Sequence, residues 1–332
     1  MSRNSNHKNR IIIVNQFLKL KKIISLSKNN QKNLFTIPII ENTNKENKKE
    51  TTYVIGHANP DADSICSSIV YAAINDYQPR ILGKPDKETL YILKKFNLPV
   101  PEQIDSIAKK TVVLIDHNSD SESANDIKKA NIIKIIDHHR PNFSFSEPID
   151  VKIKPVGATA TLIAEKMLKK GIDNKNYAGI LLSAIISDTL GFISPTTTKK
   201  DIAVAKSLIE KYQFDANELI KEIMDIKSDI EGIPAKSLLA QDGKMMNFKG
   251  KRIFISQIID NNNILEKMKD EMLKEMENFR KEKNLDAVLL MQTNTFSKTT
   301  NLLIVSKPDD IAATFGETKT QYSIKLLNVV SR

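Results

Sequence analysis

The chain has 332 residues, with 50 Lys+Arg against 40 Asp+Glu, 40% apolar residues, one cysteine and no tryptophan. That length suggests about two domains and permits a sizeable core. A single cysteine, Cys66, excludes a disulfide framework or a Cys-rich zinc module, so a reducing intracellular compartment is expected. No apolar run approaches the ~18 residues of a membrane span, so no membrane partner is expected.

Residues 1–50 are rich in Lys and Asn and contain no glycine. Residues 1–40 hold eight Lys/Arg and no acid, and residues 41–50 balance three Lys with three Glu. The remaining chain therefore carries 10 − 8 = +2 of the formal +10, too little for a phosphate-backbone footprint. No nucleic-acid partner is expected. A basic leader with an amphipathic stretch from Ile11 to Ile24 fits either a disordered extension or an organellar transit peptide. A cytoplasmic location is expected, with import through residues 1–50 the alternative.

From residue 52 short β-rich runs alternate with helical patterns. Tyr53 to Ile55 reads as a strand and Ser64 to Asn75 as a helix, with Ile65, Ile69, Ala72 and Ala73 at helical spacing. Val112 to Ile115 and Ile132 to Ile136 read as strands of a parallel sheet covered on both faces. Thr159 to Lys170 and Ala178 to Ser187 read as helices. Ser228 to Pro234 breaks a helical pattern and marks a boundary. Beyond it come a strand (Arg252 to Ile258), one long amphipathic helix (Asn263 to Asn284) and strands at Ala287 to Met291 and Leu302 to Val305. The expected architecture is α/β. Residues 1–50 form a leader, 51–228 a parallel-sheet domain carrying the chemistry, and 234–332 a smaller α/β domain, with the site in the cleft between the two domains.

Four of the five histidines fall in three clusters, each directly after a predicted strand: Gly56-His57-Ala58-Asn59-Pro60-Asp61-Ala62-Asp63-Ser64, Asp116-His117-Asn118 and Asp137-His138-His139-Arg140. The carboxyl ends of parallel strands share one edge, so the clusters converge. Taken singly, an Asp-His pair is a satisfied loop pair, Pro60-Asp61 a turn and Ser64 an N-cap. Together, Asp61, Asp63, Asp116 and Asp137 would repel one another in a partly dry cleft. Divalent cations resolve that repulsion, and carboxylates mixed with imidazoles suit Mn²⁺, Fe²⁺, Co²⁺ or Zn²⁺ over Ca²⁺. The ligand count allows two metals bridged by one aspartate, an arrangement that activates a water and clamps a phosphoryl group.

The first cluster, the Asp-His-His triplet and their spacing resemble the DHH phosphoesterase superfamily, and within it the family II (manganese-dependent) inorganic pyrophosphatases. The resemblance extends to Pro155-Val156-Gly157-Ala158-Thr159-Ala160-Thr161, to Leu182 through Thr189 and to Ser194-Pro195-Thr196. It implies hydrolysis of inorganic pyrophosphate to two orthophosphates with two Mn²⁺ or Co²⁺ per subunit, Mg²⁺ entering with the substrate, and a homodimer. By resemblance, His57 and Asp61 bind the first metal, Asp63, His138 and Asp188 the second, and Asp116 bridges. His139, Lys244 and Arg332 contact phosphate, and Asp137 orients a ligand. A short-chain exopolyphosphatase of the same superfamily is the alternative, and His57 argues against it. Two departures stand out: Gln292 to Thr300 lacks the family's acidic stretch, and the family's Ser-Arg-Lys-Lys-Gln ends here at Ser331-Arg332, from which weakened phosphate binding is expected.

Overall fold

The structure, a computed structural model, describes residues 51–144, 148–307 and the backbone of 321–327. The leader and Arg332 lie outside the described residues.

The first sheet is built from β1 (Thr52–Ile55), β2 (Gln78–Arg80), β3 (Thr111–Ile115), β4 (Asn131–Asp137) and β5 (Asp150–Ile153). All neighbours are parallel, in the order β2-β1-β3-β4-β5. The chain therefore reverses its winding between β1 and β3, and the crevice at the carboxyl ends of those strands is the natural ligand site of such a sheet. Residue alternation sorts the strands' side chains. Val54, Val113, Ile115 and Ile136 enter the main core with the helices, while Ile55, Val112, Leu114 and Ile135 face a second cluster with Ile107 and Ile127. That second face is covered by the segments on either side of β3, through Ile104, Ile107, Ala124 and Ile127. Coverage of β4 is incomplete, because Ile133 is 36% exposed and Lys134 half-buried.

The main core is closed by α1 (Ala62–Ala73), α2 (Lys87–Lys95), α3 (Thr159–Lys169), α4 (Lys175–Asp188), α5 (Lys199–Tyr212) and α6 (Ala216–Lys227). The helix α4 is apolar nearly all round, and Ala178 through Asp188 are buried without a break, as expected of a central helix. The N-cap of α1 is Asp61, not Ser64: the Asp61 Oδ1 accepts from the Ser64 amide at 2.9 Å.

After α6, residues 228–234 lead into α7 (Ala235–Ala240) and a second sheet. Its strands are β6 (Gly243–Phe248), β7 (Lys251–Ile259), β8 (Ala287–Asn294), β9 (Thr299–Ser306) and β10 (Gln321–Leu327), in the order β10-β9-β8-β7-β6. Only β7 and β8 are parallel. The expected long helix over Asn263 to Asn284 is two pieces, α8 (Ile264–Lys267) and α9 (Lys269–Glu282). Met268, at φ −113°, breaks it, and Asp260 instead accepts from the amides of Ile264 and Leu265 at 2.9 and 2.8 Å. Among the described residues no helix is long and apolar enough to cross a membrane.

Candidate active site

The three clusters meet at the carboxyl edge of the first sheet. His57 lies two residues past β1, Asp116 directly follows β3, and Asp137 closes β4. Asp116 sits at φ 64°, a left-handed conformation that Asp tolerates better than most residues. Its amide donates to the Ile136 carbonyl at 2.9 Å, which turns its carboxylate inward at 2% exposure.

Around that carboxylate the donors form overlapping sets. The His57 Nε2 lies 3.5 Å from Asp61 Oδ1 and 3.5 Å from Asp116 Oδ2. The His138 Nε2 lies 3.4 Å from Asp116 Oδ1, 3.7 Å from Asp188 Oδ2 and 4.0 Å from Asp63 Oδ2. His57, Asp61 and Asp116 could hold one ion; Asp63, His138 and Asp188 could hold another; Asp116, His138 and His139 also stand close enough. Every residue expected as a metal ligand is thus brought together, including Asp188 from the end of α4. His117 is not among them. Its ring is buried and satisfied, Nδ1 with the Ile115 carbonyl at 3.0 Å and Nε2 with Ser123 Oγ at 2.6 Å.

A supporting layer holds these side chains. Asp63 is fully buried and accepts from the first amides of α3, Thr159 at 2.6 Å and Ala160 at 2.7 Å. The Thr159 hydroxyl donates to Asp116 Oδ1 at 2.8 Å. The His138 Nδ1 meets the Val156 carbonyl at 2.9 Å, which leaves Nε2 buried without a hydrogen-bond partner. Asp137 was expected to orient a ligand, and its Oδ1 meets the His139 Nδ1 at 2.9 Å. The backbone amides of His138 and His139 donate to the same oxygen, and Asn118 Nδ2 donates to Oδ2. Thr159, Asn118 and the Val156 carbonyl were not singled out from sequence; Thr159 and Val156 lie in the motif at Pro155 to Thr161, and Asn118 in the second cluster.

The electrostatics follow from packing acids together. Burial, reinforced by Asp116, Asp188 and Asp61, pushes the Asp63 carboxyl well above its ordinary value. Burial opposes the charged form of His57, but hydrogen bonds to Asp116 and Asp61 outweigh it and raise the ring to about 11. At His139, burial is likewise outweighed by Asp137, and the ring is pushed up to about 9. Asp137 is held down at about 2, since the His139 contacts overcome its burial. Cys66 is a fully buried residue of the core, and burial pushes its thiol up.

The site opens on a cleft of about 1380 Å³ lined from both sheets. Asp61, His138, His139 and Asp188 form one side, and Lys244 with Met246 on the edge strand β6 form the other. Lys84, Lys87 and Lys227 also line it. Lys244 thus reaches the cleft shared with His139, while Arg332 lies outside the described residues.

A doubly wound sheet with Asp-His clusters at its switch point, followed by a second small sheet, defines a DHH-type protein. Residues 51–185 match the DHH family N-terminal domain, and residues 221–332 the DHHA2 domain. The manganese-dependent inorganic pyrophosphatase of Methanocaldococcus jannaschii is 37% identical over 292 residues, 84% of this chain and 95% of that one. A Bacillus licheniformis protein assigned to the same enzyme family is 34% identical over 293 residues, 84% of this chain and 94% of that one. A crystal structure of a Methanococcus jannaschii protein assigned to the family II inorganic pyrophosphatases superposes with a TM-score of 0.72 at 36% identity. It spans 85% of this chain and 95% of that one. The chain belongs to family II, the manganese-dependent inorganic pyrophosphatases.

Proposed function

We propose that this chain hydrolyses inorganic pyrophosphate to two orthophosphates, with two Mn²⁺ or Co²⁺ per chain and Mg²⁺ arriving with the substrate. The observation that carries the reading is the His138 Nε2, a buried ring nitrogen with no hydrogen-bond partner and oxygens of three carboxylates within 4.0 Å. An orphaned buried acceptor is costly in a fold unless a ligand satisfies it. Carboxylates and imidazoles without a thiolate suit Mn²⁺ or Co²⁺. In this reading His57 and Asp61 hold the first cation, Asp63, His138 and Asp188 the second, and Asp116 is shared. When bound, such a pair supplies Lewis-acid polarisation of phosphoryl oxygens and a nucleophile at neutral pH.

The chain's own residues do the remaining work. Asp137 engages the Nδ1 of His139, so the Nε2 of this half-exposed ring is the nitrogen left for a substrate oxygen. Lys244 brings a positive charge to the cleft from the opposite sheet, and Arg332 is the third phosphate contact in this reading. Residues 51–228 act as the metal-binding domain and 234–332 as the substrate-binding domain, with residues 228–234 as the hinge on which the cleft closes and sheds water. The enzyme is taken as a cytoplasmic homodimer acting on a small free anion, without a nucleic-acid or membrane partner.

Stripping metal with a chelator should abolish phosphate release, and adding Mn²⁺ or Co²⁺ should restore it. His139→Gln should keep two metals per chain while turnover falls by about 10²-fold, the scale of losing one charge stabiliser. A protein that binds two Mn²⁺ but releases no phosphate from pyrophosphate would refute the reading. Faster cleavage of tripolyphosphate would favour an exopolyphosphatase.

A further inference from the structure

The helix α5 carries none of the candidate metal donors, yet one of its side chains is tied to three of them through one short segment. Asp201 is fully buried, and no lysine or arginine is bonded to it among the described contacts. Four donors converge on it instead: the Gly157 amide at 2.8 Å, the Thr161 hydroxyl at 2.5 Å, and the Thr198 amide and hydroxyl at 2.7 and 2.6 Å. The Thr198 amide bond is one half of a capping box at the start of α5, whose other half is the Asp201 amide donating to Thr198 Oγ1 at 3.4 Å. The bonds from Gly157 and Thr161 reach 44 and 40 positions back along the chain, to either side of Ala158 to Ala160.

That segment, Val156 to Thr161, is the turn into α3 and the first residues of that helix, and it sets three of the candidate donors. Its Val156 carbonyl fixes the His138 ring, its Thr159 and Ala160 amides hold Asp63, and its Thr159 hydroxyl holds Asp116. Gly157 sits pinched between α4 and α5: a Cβ there would lie 2.7 Å from Thr189 Cγ2 and 3.0 Å from Asp201 Oδ2. The segment is thus pressed onto Asp201 and clamped at both ends. Partners one layer behind the ligands set how well a site holds its ion.

We infer that Asp201 is a positioning residue for the metal centre, acting through the 156–161 segment to set the affinity of the site formed by Asp63, His138 and Asp188. This rests on the reading of those side chains as metal donors.

Mn²⁺ titration calorimetry on the full chain tests it. Asp201→Ala should weaken binding at one of the two sites by about tenfold or more, the usual effect of losing such support. Asp201→Asn keeps an oxygen for Gly157 and Thr198 and can donate to a rotated Thr161 hydroxyl, so it should recover most of that affinity. Thr198→Ala removes the helix cap but leaves the bonds to Gly157 and Thr161, and should bind Mn²⁺ as wild type does while losing thermal stability. Should Asp201→Ala fail to fold, Thr161→Val removes one bond alone and should bind about threefold more weakly. Wild-type affinity in Asp201→Ala or Thr161→Val would overturn the inference, as would equal weakening in Thr198→Ala. Asp63→Asn separates the two readings. If it leaves Mn²⁺ binding unchanged, the donor assignment itself fails and this inference falls with it. If it weakens binding while Asp201→Ala does not, only the positioning role is lost.

Discussion

At Asp116, backbone and charge make separate demands. The left-handed φ of 64° asks for Asp, Asn or Gly, and the neighbouring histidines ask for a carboxylate between them. Asn meets the first demand and not the second, so Asp116→Asn tests charge with the fold held constant. We expect the variant to fold, to lose at least one of its two Mn²⁺ and to keep less than a tenth of the wild-type rate. Metal analysis beside a phosphate-release assay checks it, and retention of both metals with a higher rate would remove Asp116 from the shared position. Gly56 makes a steric demand just before His57. A Cβ there would lie 1.7 Å from Ser64 Oγ and 3.0 Å from Ser64 Cβ. Gly56→Ala should cost about 1–3 kcal/mol in urea unfolding, the range for forcing atoms into a packed core. Adding Ser64→Ala removes the closer clash and should recover part of the loss, whereas no recovery would place the strain elsewhere.

Between elements, α2, α4 and α6 are joined in the wall of the cleft by one ionic knot. The Lys227 Nζ donates to Glu88 Oε2 at 3.0 Å and to Ser187 Oγ at 2.8 Å, one residue before Asp188. Glu88 is 5% exposed, and burial raises its carboxyl, with Lys227 pulling the other way. Lys227→Met leaves that acid in the core without its cation. The loss should be about 3 kcal/mol at pH 7, toward the low end for breaking a buried pair because Lys227 retains some solvent contact. An acid whose folded value is raised destabilises the fold above that value, and the penalty disappears below its ordinary 4.5. The stability gap between variant and wild type should therefore shrink as pH falls from 7 to 4. Urea unfolding at the two pH values checks this, and adding Glu88→Gln should restore most of the stability at pH 7. A gap independent of pH would mean that lost packing of the lysine stem is the cause.

For the whole molecule, the net charge of +10 misleads until it is located, because residues 1–40 carry +8 of it. The matched DHH domain begins at residue 51, and the Methanocaldococcus relative is matched over 95% of its own length by 84% of this chain. Catalysis should accordingly need nothing before Thr51. A chain of residues 51–332 should keep its rate within about twofold and bind the same two Mn²⁺. Steady-state kinetics and metal analysis of the shortened protein check this, and aggregation or loss of rate would mean that the leader packs on the body.

Much of the site was legible in the chain because strand ends in a parallel sheet share an edge: period, composition and the placing of His57, Asp116 and His138 after apolar runs suffice to predict their convergence. Side-chain direction was beyond the chain's reach. His117 lies between two site residues in sequence and turns into the core, bonded to Ile115 and Ser123, because each step past a strand end redirects the next side chain. Which histidine ring the Asp137 side chain would meet was hidden for the same reason. The break at Met268 was hidden because periodicity continues on both sides, while Asp260 from the preceding strand claims the amides of α8. Asp188 entered by resemblance alone, and the local signal at Asp201, Thr198-x-x-Asp201, points to a helix cap and to nothing beyond it. Both meet partners 40 or more residues away in sequence, which only the packing of α3, α4 and α5 brings near them.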